Sequence, residues 1–439
     1  MRTLTALDIG TTKISVFIIA FEEDRKMKVV GHATSSSKGV KKGVIVDIDQ
    51  VIDSIDEALQ KAERMAGVSA KMAVTSVGGP HVTSQDSHGV VAVSNPRGDI
   101  VASDIERVID AAKAISIPQT RYVLTVSPRQ FVVDGQGEIR NPMGMSGVRL
   151  EVDCNILTAS STNLRNIERV LETLELKHEG FVFSAASSAY AVSTEAEREM
   201  GVLIVDIGGG KTDYAVFCDN ALSYASSIPV GSRHITNDLA VGLGLPLETA
   251  EEMKIFLSNA YVSAPHSRKG LDLPDISQYL AKGDASEYSA KTVYEGVIAV
   301  RLEEIFQMIL NDLEEHKYHK LIPAGVVLAG GGAKTIGIQE IAKHVMHVPV
   351  RLGIPFGQGT MLNSPLITGV TSELEDPSFA TVSGLLMAFG MNLTKEKNSN
   401  IMDFMQTSID SIKSVTGGSN KSKGNLVQKF TDILRQFLP

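Results

Sequence analysis

The heptapeptide LDIGTTK at 7–13 returns two hundred residues later as VDIGGGK at 205–211. Each copy closes one apolar run and opens another: TLTALDI leads into KISVFIIA, and GVLIVDI leads into TDYAVFC. One such element is a turn between two strands. Two of them restrict the chain to a fold whose halves are built on the same strand–turn–strand unit. The first unit runs on into MKVVGHA as an antiparallel meander, and residues 201–229 repeat that meander with the turn in the same place. A third glycine turn follows the strand VVLA in VVLAGGGAKTIGIQEIAKHV, 326–345, and precedes a helix. Free backbone N–H groups at such a helix start hold a phosphate or a nucleoside. None of the three turns is GxxxxGK[ST], and none is GxGxxG within a βαβ unit, which argues against the P-loop and dinucleotide folds. Three glycine turns on one chain point to one nucleotide in a cleft.

Between the two copies the periodicity predicts a helix capped by Asp49 and ended by Gly67, with Ile52, Ile55, Leu59, Ala62 and Met65 on its buried face. From about 71 to 158 a separate α+β rhythm follows: strands MAVTSV and VVAVS, helix SDIERVIDAAKAI, strands YVLTVS and QFVVDG, and strand RLEVDCNILTA. It reads as an inserted module. Helix TNLRNIERVLETLEL and strand FVF then return the chain to its first half. The 439 residues suffice for two or three domains, and 43% hydrophobic against 21% charged residues is a globular balance. A net charge of -9 without a long Lys/Arg run argues against nucleic acid as a partner. Cys154 and Cys218 stand far apart, outside any CxxC or His-rich setting, so neither a disulfide framework nor a zinc site is expected. The first residues enter a strand directly, and no run of about 18 apolar residues occurs, so neither secretion nor a membrane span is expected.

The three turns, together with NPMGMSGVRLEVD at 141–153, STEAEREMG at 193–201 and a basic amphipathic terminus, resemble the actin, heat-shock-70 and sugar-kinase superfamily, and within it the FtsA family of bacterial cell-division proteins. The resemblance spans essentially the whole chain. It implies an α/β, actin-like two-domain fold with repeated mixed-sheet halves and an inserted α+β subdomain. On that pattern the first half takes residues 1–79, the inserted subdomain 1C takes 80–160, and 161–200 return to subdomain 1A with a connecting helix. The second half begins with 201–236 of subdomain 2A, continues through a small subdomain 2B at 237–300, and returns at 301–368. Residues 369–391 rejoin 1A, 392–424 form a linker, and 425–439 form an amphipathic membrane-targeting helix.

Expected chemistry follows from the turn residues. Gly10, Thr11, Thr12 and Lys13 can surround phosphate oxygens with N–H groups, hydroxyls and a cation, and Gly208, Gly209, Gly210, Lys211 and Thr212 offer the same from the other half. Carboxylates beside a polyphosphate require a hard cation, so Asp8 and Asp206 are the expected Mg²⁺ partners, largely through water. The resemblance implies ATP as the nucleotide, with Gly330, Gly331 and Gly332 against the adenosine and Glu251 and Lys254 reaching the ribose and base. From spacing alone, that last pair reads first as a solvated i,i+3 ion pair on a helix surface, and only the resemblance raises the ligand reading beside it. In FSAASSAYAV, 183–192, the position matching the superfamily's water-positioning carboxylate is Ser184, which cannot act as a base. Asp8 is then left to orient water, and at most weak ATPase activity is expected.

After Phe389 the composition shifts to Ser, Asn, Lys and Gly through 392–424, a linker pattern. Then Leu426, Val427, Phe430, Ile433, Leu434, Phe437 and Leu438 fall on one helical face, while Lys429 and Arg435 stand on the other. A basic polar face on an acidic chain fits an interfacial helix on anionic membrane lipid. By resemblance the chain is a polymerising, ATP-binding tether of the FtsZ ring at the cytoplasmic face of the membrane at the division site. Its expected partners are the C-terminal tail of FtsZ, other copies of itself and further division proteins, with Arg301 matching a basic position at the FtsZ contact. A sugar kinase and a PilM-like scaffold of the same superfamily are the alternatives. The first requires a catalytic Asp in the cleft and gives no reason for the terminal helix, and the second interacts with a short partner peptide rather than ending in its own amphipathic helix.

Overall fold

The computed structural model describes residues 2–22, 26–114, 117–263, 273–280 and 288–390. The expected linker and terminal helix lie outside the described residues, as does part of the stretch assigned to subdomain 2B.

Two mixed sheets repeat one plan. In the first, Arg2–Ile9 pairs antiparallel with Lys13–Phe21 and parallel with Met72–Val77, and Met27–Ser36 and Lys177–Phe183 extend the two sides. In the second, Val202–Ile207 pairs antiparallel with Thr212–Cys218 and parallel with Val326–Ala329, flanked by Ala221–Ile228 and Val350–Leu352. The register at the turns is the same. Ile9 faces Ile14 and Asp8 faces Ser15 in one, while Ile207 faces Thr212 and Asp206 faces Asp213 in the other.

The continuous apolar runs of these strands follow from burial on both faces, because alternate side chains point to opposite sides. Val16 and Ile18 join the core under helix Ile48–Ala66, whereas Phe17 and Ile19 join the core under helix Ala380–Gly390. Gly31 lets the first helix lie directly on the sheet, since a Cβ there would collide with the carbonyl of Ala62. Gly384 does the same where helix Ala380–Gly390 crosses helix Ser184–Val192 at Ser187.

Helix Ile48–Ala66 departs from the expectation in two ways. Its cap is Asp47, whose carboxylate accepts the Gln50 N–H at 3.1 Å, and Asp49 sits in the first turn, where its charge suits the helix dipole. The buried stripe runs through Val51, Ile55, Ala58, Leu59 and Ala62, so Met65 is turned outward at 55% exposure. Two adjacent helical stripes share Ile55, Leu59 and Ala62, and the observed one sets Ala62 against Gly31 of the sheet. Gly67 ends the helix at φ 68°, as expected.

The inserted module is a four-stranded sheet in the order Thr83–Ala92, Arg149–Ser160, Arg121–Val133, Gln136–Ile139, covered on one face by helix Ala102–Lys113. The expected pair of strands at 122–127 and 130–135 is one strand. Its register slips where Asp153 faces Gln130 but Cys154 faces Pro128, leaving Arg129 as the extra residue of a bulge. A proline, which has no N–H to donate, is tolerated beside such an interruption.

Candidate functional site

The two hairpin turns close identically. The Gly10 N–H donates to the Lys13 carbonyl at 3.0 Å, and the Gly208 N–H donates to the Lys211 carbonyl at 2.9 Å. They also face each other: a Cβ on Gly209 would collide with the side chain of Thr12, and one on Gly210 would lie 2.7 Å from Thr11 Cγ2. The third glycine turn leans on the second, because a Cβ on Gly330, itself at φ 82°, would strike Asp206 Oδ1 and the Ile207 carbonyl. Residues 376–381 tie the remaining sides. The Gly330 N–H donates to the Pro377 carbonyl at 3.0 Å, Lys334 pairs with Asp376 at 2.8 Å, and Lys13 Nζ donates to the Ser378 carbonyl at 2.9 Å while lying 4.1 Å over the Phe379 ring. All three turns therefore meet in one place.

Both expected cation partners lie behind the turns. Asp8 Oδ1 accepts from Ser76 Oγ at 2.5 Å. Asp206, 7% exposed, accepts from Ser188 Oγ at 2.8 Å and from Thr381 Oγ1 at 2.5 Å, both on its Oδ2. Burial pushes both carboxyls above their ordinary range, opposed by the Ser76 hydroxyl at Asp8 and by the Lys211 ammonium at Asp206. Burial likewise lowers Lys13, against the charge of Asp8. Among the described residues no group of three or more His, Cys, Asp or Glu is set to hold a metal by itself. Two separated carboxylates, each braced by hydroxyls, fit a hard cation whose shell is completed by water and phosphate oxygens.

Other expected residues are placed as follows. Thr11 Oγ1 accepts from the Gly43 N–H at 3.3 Å, and Thr212 Oγ1 donates to the Val230 carbonyl at 2.8 Å, so the Thr212 hydroxyl is engaged inside its own half. Helix Ser232–Leu243 begins on the second turn, its Ser232 and Arg233 N–H groups donating to the Gly208 and Gly209 carbonyls at 2.9 and 2.8 Å. Lys254 reaches that helix, donating to Glu251 at 2.7 Å and Thr236 at 2.9 Å. The pair is thus an i,i+3 ion pair, but its lysine is buried rather than solvated, at 8% side-chain exposure. Arg301 stands apart from the cleft, with Nε 2.6 Å and Nη2 3.0 Å from the two oxygens of Asp238 and a further bond to Glu304.

Ser184 begins helix Ser184–Val192 and supplies no carboxylate, but the structure brings one to the same spot. A Cβ on Gly78 would collide with Asp213 Oδ2 and Lys211 Nζ and would lie 2.7 Å from Ser184 Oγ. Asp213 Oδ1 accepts the Gly79 N–H at 2.9 Å across the two halves, and Oδ2 is paired with Lys211. Asp213, Ser76, Ser188 and Thr381 were not singled out from the sequence. For Asp213 and the Gly78–Gly79 turn a signal existed. Gly-Gly after the strand MAVTSV is the first-half counterpart of the glycines after VVLA, and carrying the repeat one strand further reveals it.

Residues 203–384 match the family described as cell division protein FtsA, and residues 79–158 match the SHS2 domain inserted in FTSA. The chain is 36% identical over 386 residues to the cell division protein FtsA of Pseudomonas aeruginosa, covering 88% of this chain and 89% of that protein. It is 34% identical to that of Bacillus subtilis over 381 residues, 87% of this chain and 82% of the relative. Among solved structures, a PilM–PilN type IV pilus biogenesis complex superposes with a TM-score of 0.61 at 16% identity, over 90% of this chain and 99% of the other. MreB5 of Spiroplasma citri bound to AMPPNP superposes at 0.52 and 14% identity, over 89% and 97%. At those identities the two structures speak for the actin-like fold alone. The repeated halves, the inserted subdomain and the similarity along nearly nine-tenths of its length make this chain an actin-like member of the FtsA family of cell-division proteins.

Proposed function

We propose that the chain binds Mg-ATP between the two hairpin turns, hydrolyses it slowly, polymerises, and tethers FtsZ polymers to anionic membrane lipid through its terminal helix. The observation that carries the nucleotide reading is the pair of equivalent turns meeting at Thr12 and Gly209, with Asp8 and Asp206 behind them. Magnesium, when bound with the nucleotide, supplies charge neutralisation of the phosphates. Asp8 and Asp206, held in place by Ser76, Ser188 and Thr381, would hold the hydrated cation, and the turn N–H groups with Lys13 would bind phosphate oxygens. AMPPNP in the MreB5 structure of the same fold supports this reading.

Slow hydrolysis follows from the same geometry. Ser184 is not a base, and Asp213 is committed to Lys211 and the Gly79 N–H. Steady-state turnover is expected well below the ~10 s⁻¹ that is typical of enzymes, and below about 1 s⁻¹. A phosphate-release assay on the full chain, with and without vesicles, checks it. Fast turnover that survives Asp8→Ala would contradict this assignment.

Arg301 is the proposed contact for the acidic tail of FtsZ, and the structure sets its terms. Asp238 and Glu304 already surround the guanidinium, which is 25% exposed. A tail carboxylate therefore competes with internal partners, and Arg301→Glu, which turns the spot into three carboxylates, is expected to weaken tail-peptide binding by on the order of tenfold at low salt. Fluorescence anisotropy with a labelled tail peptide measures it. Equal affinity for both proteins, or affinity that does not change with salt, would count against an electrostatic contact there.

A further inference from the structure

Lys13 and Lys211 occupy the same position in the two repeated turns, yet they do different things. Lys13 donates to neutral groups, the carbonyl and hydroxyl of Ser378 at 2.9 and 3.0 Å. Lys211 crosses from the second half into the first through a channel walled by glycines. Its Cδ and Cε would lie 2.8 and 2.9 Å from a Cβ on Gly43, and its Nζ would collide with a Cβ on Gly78. At Gly43 the backbone carbonyl of Gly78 and a φ of 78° exclude a side chain, and at Gly78 a side chain would displace the Lys211–Asp213 pair. At its end the ammonium pairs with Asp213, whose side chain is 1% exposed, and Asp213 in turn accepts the N–H of Gly79 from the first half at 2.9 Å. Asp8 is next door, since its partner Ser76 lies two residues before Gly78 on the same strand end. Asp206 completes the group on the strand opposite Asp213.

We propose that Lys211 is a built-in cation that neutralises the buried carboxylates Asp213 and Asp206 and the half-buried Asp8, and clasps the two halves of the fold together. Two buried carboxylates beside a half-buried third repel one another strongly unless a positive charge lies among them. Lys13 shares in the charge balance at Asp8 but donates its hydrogen bonds to Ser378, whereas Lys211 acts on all three carboxylates and is ion-paired with Asp213. The electrostatics agree: burial pulls the Lys211 ammonium down, but Asp213, Asp206 and Asp8 outweigh it and hold it above its ordinary range. The clasp deepens the nucleotide reading, because a divalent cation arriving with a nucleotide meets carboxylates that already have a counter-charge from the chain. Lys211 is here a positioning residue that acts through the three aspartates.

The test needs no nucleotide, so it stands or falls separately from ATP binding. Thermal melting of the full chain is followed in EDTA and in millimolar Mg²⁺ for the wild type, Lys211→Met, Asp213→Asn and the double variant. Methionine fills the channel without the charge. Lys211→Met is expected to melt at least about 5 °C below the wild type in EDTA. Mg²⁺ should recover part of that loss in the variant and leave the wild type unchanged. Asp213→Asn added to Lys211→Met should recover it in EDTA, while Asp213→Asn alone destabilises. A Lys211→Met protein that melts like the wild type in EDTA would overturn the proposal. So would a loss that neither Mg²⁺ nor Asp213→Asn relieves, since that pattern reports packing in the channel rather than charge.

Discussion

Phe430→Asp and Leu434→Asp are each expected to release the full chain from anionic vesicles, while Gln428→Asp leaves most of it bound. On the proposed membrane helix seven apolar residues would share one face, and half-burying them in the interface would yield roughly 5–10 kcal/mol before the costs of folding and immobilisation. Each Lys or Arg close to the lipid adds about 1 kcal/mol. Net binding of a single chain is therefore modest and reversible. A carboxylate placed mid-stripe costs several kcal/mol in desolvation, enough to remove all of it. On the polar face the same charge remains in water, and its cost is limited to repulsion from the lipid. On the proposed function, polymerisation would multiply the anchors without adding contacts, so FtsZ-bound filaments should tolerate a weakened helix better than single chains do. Flotation with vesicles, at two salt concentrations and beside a chain truncated after Gly424, separates these outcomes. A truncated chain that floats, or polar-face and apolar-face variants that behave alike, would contradict the membrane role proposed for residues 425–439.

What could be read along the chain and what could not divide by range. The two hairpins, the meander after each and the inserted module are written in apolar alternation, glycine turns and strand length, all local signals, and each is present in the fold. The cap of helix Ile48–Ala66 is ambiguous by two residues in the sequence because Asp47 and Asp49 are both suitable, and it is Asp47 whose carboxylate accepts the Gln50 N–H. Strand Arg121–Val133 was divided at Pro128 because the bulge that accommodates the proline depends on its partner strand. The residues that brace the site were the least visible. Thr381 bonds Asp206 across 175 positions and Asp213 bonds the Gly79 N–H across 134, and no pattern of spacing reports such a meeting. Arg301 could be singled out only by resemblance, and its bidentate pairing with Asp238, 63 positions away, had no local trace either.

Gly209→Val is expected to abolish ATP binding while leaving the fold in place. The glycine has no positive φ to protect, so the variant does not strain its own backbone. Its side chain instead enters the space of Thr12, the contact at which the two turns meet. A valine there forces the turns apart and covers the N–H groups that would face phosphate oxygens. Losing two such bonds at about 1.5 kcal/mol each already costs a factor of roughly 100 in affinity. Gly242, in helix Ser232–Leu243 with open space around it, is the matched control, and Gly242→Ala should bind as the wild type does.

Equilibrium binding of ATP to the full chain in millimolar Mg²⁺, by calorimetry or with a fluorescent analogue, is the most direct measurement. The wild type and Gly242→Ala should bind at one site with the same affinity, and Gly209→Val should show at least about a hundredfold loss with an unchanged circular dichroism spectrum. Unaltered affinity in Gly209→Val, or no binding by the wild type, would contradict the claim that the repeated turns hold the nucleotide.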